Sequence, residues 1–386
     1  MRRKEVASRY GGACERWVIF FKRSISMDVQ YEQRMKSLLS LVGQEGASDI
    51  HLVVGRYPTL RIDGKLVPVT NETILTPDDT KGLSDAILPE HNSKELMNDG
   101  QTDFSYNFDD RARFRTNVFL QKGYVSVTMR FVGEKIRTLE ELSMPTALYE
   151  FAQHTQGLVL VTGPVGHGKS TTLAAVIDYI NHNQDKHILT IEDPIEYVYV
   201  QDRCIINQRE IGEDAKDFPK ALRAVFREDA NVVLLGELRD LETIATAMTA
   251  AETGHLIFAT LHTNDTSQTI DRVVDVFPAY QQNQIRSQMA SVLLGVISQR
   301  LLPKIGGGRV PAVEIMLKNH AVENLIRENK TFQIDSVIET SLKEKMVSLD
   351  RSLANLVQQG VVDVEDAFRY AKNRDYFRML VGGRER

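Results

Sequence analysis

The sequence predicts an α/β protein of two domains: a small N-terminal α+β module and a larger domain with a parallel sheet flanked by helices. Three observations carry that expectation. At 386 residues the chain exceeds the roughly 100–200 residues usual for one domain. Four short apolar runs, Leu158–Val161, Ile188–Ile191, Asn231–Leu235 and Leu256–Leu261, alternate with helical segments, the pattern of strands buried on both faces of a parallel sheet. The first run leads into Gly163-Pro164-Val165-Gly166-His167-Gly168-Lys169-Ser170-Thr171-Thr172, a full match to G-x-x-x-x-G-K-[S/T]. Leu173, Val176, Ile177 and Ile180 then recur at helical spacing.

Strand, glycine loop and helix therefore occur in the order a phosphate-binding loop requires. Gly163, Gly166 and Gly168 leave backbone N–H groups open to a phosphate chain, and the positive end of the following helix adds to the attraction. Lys169 is expected to reach the β/γ-phosphates and Ser170 to hold Mg²⁺, so the chain is expected to bind a nucleoside triphosphate.

Composition bounds the rest. Charged residues make up 26% and hydrophobic ones 42%, ordinary globular values, and no apolar run approaches the roughly 18 residues of a membrane span. The formal net charge of −5 gives no overall pull toward nucleic acid. Cys14 and Cys204 are the only cysteines, too few and too far apart for a disulfide framework or a four-thiolate zinc site. The chain is expected to work in a reducing compartment, in the cytoplasm or against a membrane surface.

Residues 1–26 differ from the rest of the chain. Arg2, Arg3, Lys4, Arg9, Arg16, Lys22 and Arg23 stand against Glu5 and Glu15, and Trp17–Phe21 is too short for the apolar core of a signal peptide. A basic, aromatic membrane anchor is one reading; the favoured one is a disordered extension, or a start misplaced upstream of Met27. The N-terminal α+β domain is expected over 27–132. Leu38, Leu39, Leu41 and Val42 suggest an opening helix; Ile50–Val54 and Leu60–Val69 read as strands, the second turning at Asp63-Gly64. A helix over Pro77–Ile87 comes next, with Thr76 as its cap. Two strands close the module. Arg113 and Arg115 stand two apart in Arg111–Phe119 and so share a face, and Arg130 lies on the polar face of Val125–Phe131. From the residues alone, a solvated sheet face is the favoured reading of these arginines. Residues 133–150 are expected to be a linker.

In the second domain, 151–386, each apolar run ends in polar or glycine residues: Gly163; Glu192 and Asp193; Gly236 and Glu237; Thr260 and His262. Ligands of an open parallel sheet bind beyond the carboxyl ends of its strands, so these endings should converge on one crevice. Glu237 is then placed opposite the phosphate loop, to orient Mg²⁺ through water or to take a proton from the attacking water. Phe218, Leu222, Val225 and Phe226 form one helical stripe, with Asp217 and Pro219 at its start; Leu241, Ile244, Ala245 and Met248 form another, stopped by Gly254. Beyond about residue 265 a helical tail is expected, over Tyr280–Leu301, Asn319–Asn329, Asp350–Gln359 and Asp363–Lys372, with a strand near Val313–Met316.

These motifs resemble, from about Met27 onward, the type II/IV secretion ATPase superfamily and within it the PilT-type type IV pilus retraction ATPases. Gly163–Thr172 is similar to Walker A, Ile188–Glu196 to the aspartate box, Leu235–Asp240 to the atypical Walker B with glutamate, and Thr253–Thr263 to the histidine box. Ser48–Leu52, Ile270–Pro278 and Ala321–Glu328 narrow the likeness. The last resembles the retraction segment A-I-R-N-L-I-R-E, departing at Val322 and Glu323. His167 replaces the usual serine of the phosphate loop, and its side chain is expected to point outward with little effect on binding.

The resemblance implies a PAS-like N-terminal domain and a RecA-like P-loop ATPase domain with a helical C-terminal subdomain. It further implies a ring hexamer that spends ATP with Mg²⁺ on pilus retraction, at the cytoplasmic face of the inner membrane. An inner-membrane platform protein is the implied partner, a second retraction ATPase a further one, and nucleic acid is not expected. It raises Arg113, Arg115 and Arg130 to arginine fingers, His255 and His262 to sensors of γ-phosphate loss, and Glu192 and Glu196 to carboxylates near Mg²⁺ and water. Glu237 is the first candidate for general base. A pilus extension or type II secretion motor is the nearest alternative, but it would resemble a chain with a longer N-terminal region and a four-cysteine insertion. A nucleic-acid translocase would need a basic, aromatic-studded strand. A non-hydrolysing nucleotide-binding scaffold is opposed by Glu237 and the arginines.

Overall fold

A computed structural model describes residues 29–62, 64–109, 112–132 and 136–382. The expected extension, residues 1–26, lies outside the described residues, as do Asp63 of the predicted turn and 133–135 of the predicted linker. The chain divides into two compact units, one ending at Glu134 and the other beginning at Lys135.

In the first unit, helix α1 (29–44) precedes strands β1 (Asp49–Leu52), β2 (Thr59–Ile62) and β3 (Lys65–Pro68). Helices α2 (Pro77–Asp85) and α3 (Glu90–Asp99) come next, then β4 (Gln101–Asp109), β5 (Ala112–Gln121) and β6 (Tyr124–Val132). The strands form one antiparallel sheet in the order β3-β2-β1-β6-β5-β4. Its apolar face, with Ile50, Leu60, Phe104, Phe114, Val118, Val127 and Met129, shares a core with Met35, Leu38, Leu39 and Val42 of α1. Period-2 alternation sends the intervening arginines to the other face. Thr76 caps α2 as expected, in a full capping box with Asp79. Two elements were not foreseen. Helix α3 is polar, burying Asn92 and Leu96, too little for an apolar stripe. Strand β4 carries a period-2 signal, Thr102, Phe104, Tyr106 and Phe108 alternating with Asp103, Ser105 and Asn107.

The second unit opens with α4 (Ala147–Gln153), whose Leu148 and Phe151 enter the core, so the end of the expected linker is packed structure. Then come β7 (Gly157–Thr162), α5 (Lys169–Asn183), β8 (His187–Glu192), β9 (Ile205–Glu210), α6 (Phe218–Ala224), β10 (Val232–Leu235), α7 (Leu241–Glu252) and β11 (Leu256–Leu261). Helices α8 (Thr266–Asp275) and α9 (Ala279–Val292) lead to β12 (Leu293–Pro303) and β13 (Arg309–Leu317). Helices α10 (His320–Arg327), α11 (Ile334–Thr340), α12 (Leu349–Gln358), α13 (Val364–Tyr370) and α14 (Arg374–Gly382) finish the unit.

The seven strands run in the order β13-β12-β7-β11-β10-β8-β9, with the four predicted strands parallel and adjacent at the centre. Alternate residues of these strands feed two cores: Leu158, Leu160, Ile191, Leu235 and Ile257 pack with α7 to α9, Val159, Val161, Val232 and Phe258 with α4 and α5. That double burial is why they read as continuous apolar runs. The helix expected over Tyr280–Leu301 is corrected: α9 stops at Val292 and the chain turns into β12, parallel to β7 and antiparallel to β13. Gly295 allows the turn into the sheet, since a Cβ there would lie 2.5 Å from the Met316 carbonyl oxygen and from the Phe151 ring. Beyond 265 the strand expected near Val313–Met316 is β13, and β12 joins it in extending the sheet.

Candidate nucleotide site

The phosphate loop joins β7 to α5 in the conformation its glycines permit. Gly163, Gly166 and Gly168 have φ of 141°, 77° and 81°, values a side chain disfavours. At Gly163 a Cβ would also lie 2.4 Å from the Gln299 carbonyl oxygen, whereas at Gly166 it would meet nothing within 4 Å. The first glycine is required by packing against β12, the second by curvature alone. Lys169, Ser170 and Thr171 form the first turn of α5, so their positions suit a phosphate chain and a hydrated Mg²⁺ held by the Ser170 hydroxyl. Among the described residues no group of three or more His, Cys, Asp or Glu is arranged to hold a metal ion by itself, and the donor set fits a cation shared with phosphate oxygens.

Lys169 is 7% exposed and donates from Nζ to the carbonyls of Gly163 (2.9 Å) and Pro164 (3.0 Å) and to Nδ1 of His262 (3.2 Å). Because an ammonium can only donate, Nδ1 of His262 is the acceptor and its Nε2 carries the proton. That Nε2 lies 3.4 Å from Glu237 Oε1, and Arg239 Nε donates to Glu237 Oε2 at 2.7 Å. Burial lowers the Lys169 pKa, while the charges of Glu237 and Glu196 oppose the shift. A cation, a neutral imidazole and a carboxylate thus form one chain from phosphate loop to the end of β10. The strand ends are tied across the crevice: Gly236 N donates to the Ile191 carbonyl, Leu238 N to that of Thr260, and the Thr260 hydroxyl to that of Gly236.

Glu192 ends β8 at 7% exposure. Its Oε1 accepts from the Thr190 hydroxyl at 2.7 Å and its Oε2 from the Glu196 backbone N–H at 3.4 Å. Burial pushes its carboxyl up to about 7, a value suited to exchanging protons near neutrality. Glu196 is exposed and near enough to Lys169 to act on its charge.

Two expectations are corrected. His167 does not point outward: its Nδ1 accepts the Leu301 backbone N–H at 2.9 Å, and its ring meets Tyr370 edge-on at 6.4 Å. Burial first, then the charges of Arg300, Lys169 and Arg309, lower its pKa and favour the neutral ring this bond needs. His255 lies at the start of β11, beside Gly157, while His262 stands just past the strand's end. Six residues of strand, about 20 Å at ~3.3 Å each, separate it from the crevice. There its Nδ1 faces the Ala250 carbonyl (3.1 Å) and its ring packs on Phe226.

Gln299 went unforeseen because it lay inside a stretch read as helix. Its Nε2 donates to the His167 carbonyl and its Oε1 accepts from Thr172, both at 2.8 Å, bracing loop and helix against β12. The polar triplet Ser298-Gln299-Arg300 inside an apolar run was the available signal. Tyr197, whose hydroxyl meets that of Thr171 at 2.8 Å, carried none.

Arg113, Arg115 and Arg130 belong to the first unit. Arg115 is directly opposite Arg130 in the β5–β6 register and Arg113 two residues before it, so all three share the polar sheet face.

The family model for type II/IV secretion system proteins matches residues 27–369. The chain is 46% identical over 340 residues to the type IV pilus retractation ATPase PilT of Pseudomonas aeruginosa, covering 88% of this chain and 98% of that protein. It is 44% identical over 319 residues to the twitching motility protein of Neisseria gonorrhoeae, covering 82% and 85%. The crystal structure of the pilus retraction motor PilT with bound ADP superposes with a TM-score of 0.82 at 45% identity, over 88% of this chain and 98% of that one.

Proposed function

The chain belongs to the type II/IV secretion system protein family, and as an ATPase of the PilT type we propose that it hydrolyses MgATP to power type IV pilus retraction. For the chemistry, the observation that carries the reading is the Lys169–His262–Glu237 chain at the phosphate loop. Lys169 holds the β/γ-phosphates and Ser170 the Mg²⁺. Glu237 takes the proton of the attacking water, Glu192 and Glu196 are the accessory carboxylates, and His262 ties loss of the γ-phosphate to the position of Glu237. Arg113, Arg115 and Arg130 neutralise charge that develops on the γ-phosphate. For the direction of work, the support is the likeness to retraction motors along nearly the whole chain. The working form is a homo-hexameric ring at the cytoplasmic face of the inner membrane, turning a platform protein and, in some systems, joined by a second retraction ATPase.

The test has two parts. Lys169→Ala should lose ATP binding, and Glu237→Gln should bind ATP and scarcely turn it over; equal loss of binding in both would remove Glu237 from the chemistry. Deleting the gene in its host should leave more surface pili and no twitching, whereas a strain without pili would replace retraction by extension and leave the ATPase reading standing.

A further inference from the structure

The polar face of the N-terminal sheet holds an ionic arrangement that the three arginines alone do not explain. Register sets Asp49 opposite Arg61 on β2 and opposite Arg130 on β6, and Arg130 opposite Arg115 on β5. Directly paired residues share a face, so Arg61, Asp49, Arg130 and Arg115 form one transverse row. Asp49 is its single carboxylate and is 4% exposed. Its Oδ1 accepts from Arg130 Nε at 2.9 Å; its Oδ2 accepts from the Ser48 hydroxyl at 2.7 Å and lies 3.5 Å from Arg61 Nε. Burial alone would push this carboxyl up, but Ser48 and Arg130 outweigh it and hold it below the ordinary range. The Arg130 side chain, in contrast, is 68% exposed.

A guanidinium has five N–H donors, and Asp49 engages Arg130 through Nε. Its two terminal Nη groups are not used by Asp49, and such a fork is the geometry that matches phosphate oxygens. A free surface arginine must give up rotamer entropy to be held in one pose, and a buried acceptor fixed by Ser48 sets that pose beforehand.

We propose that Asp49 is a positioning residue for phosphoryl transfer: it holds the Arg130 guanidinium in one pose through Nε, and it acts on turnover only through Arg130. This rests on the reading of Arg130 as a charge-stabilising residue. Steady-state ATP hydrolysis by the full chain tests both. Asp49→Asn should lower kcat on the order of tenfold with KM for ATP little changed, and should cause no further loss when added to Arg130→Ala. Arg130→Lys alters an exposed side chain, keeps the charge and lacks the Nε–H donor, so it should fall with Asp49→Asn whether or not asparagine is tolerated at the buried site. Wild-type kcat in Asp49→Asn, the same loss in the presence and absence of Arg130, or full turnover in Arg130→Lys overturns the positioning role. Wild-type turnover in Arg130→Ala overturns the reading beneath it, and the proposal falls with it; that variant alone separates the two failures.

Discussion

Replacing Glu192 by glutamine should remove one contribution to the loss of stability of the ATPase unit at alkaline pH. Burial moves this carboxyl from its ordinary 4.5 up to about 7. Between those values the folded chain keeps a proton that the unfolded chain has released. Stability therefore falls as pH rises through that window. From pH 5 to pH 8 the loss assigned to this group is about 2–3 kcal/mol, at about 1.4 kcal/mol per pH unit. Glutamine keeps the shape and carries no charge. Its amide can donate to the Thr190 hydroxyl while its carbonyl accepts from Glu196 N, so these two bonds of Glu192 are kept. Urea unfolding of the nucleotide-free proteins at pH 5 and pH 8 reads the effect. Wild type should lose about 2–3 kcal/mol more than Glu192→Gln between the two values. Parallel pH dependence in the two proteins would refute the claim that Glu192 is a proton-holding group near neutrality.

Three further outcomes are expected from the geometry. His167→Ala removes the acceptor of the Leu301 N–H; at about 1 kcal/mol for one hydrogen bond, ATP affinity should fall roughly fivefold with kcat unchanged, as measured by nucleotide titration and steady-state kinetics. Gly163→Ala meets both a φ of 141° and the Gln299 carbonyl oxygen at 2.4 Å, so fluorescent-nucleotide binding should be lost and thermal stability lowered. Lys372 lies 2.8 Å from Asp335, 3.8 Å from Asp265 and 3.9 Å from the buried Glu314; Lys372→Met should cost about 3 kcal/mol at pH 8. Burial already holds the Glu314 carboxyl above its usual range, so acidification should protonate it and return part of that loss, which melts at pH 5 and pH 8 would detect.

Much of the ATPase domain was legible because its strands are buried on both faces and its loop is specified by covalent geometry. Leu158–Val161 and its three partner runs can be read as buried strands without knowing their order, since each segment is apolar throughout. The turn of the phosphate loop is likewise local, since Gly166 and Gly168 permit the left-handed backbone that opens the helix, whereas Gly163 also answers to β12. The starts of α2 and α6 at Thr76 and Asp217 are local signals of the same kind. What failed was the stretch Leu293–Leu301, whose apolar residues suit either a helix or a strand, and whose strand character exists because β7 and β13 pair with it on both sides.

What the sequence determined by itself was the presence of the nucleotide site and the chemical types that build it, because those depend on residues close together in the chain. Tertiary structure decided which candidates meet. It joined Lys169 to His262 across 93 positions and His262 to Glu237, while placing His255 a full strand away. It turned His167 inward onto Leu301 and brought Gln299 beneath the loop. In the first unit, strand register set Asp49 beside Arg130, 81 positions apart. Hydrogen bonds and ion pairs act over a few ångströms, and the distance between residues far apart in the chain is set by sheet order and register, which no local pattern encodes.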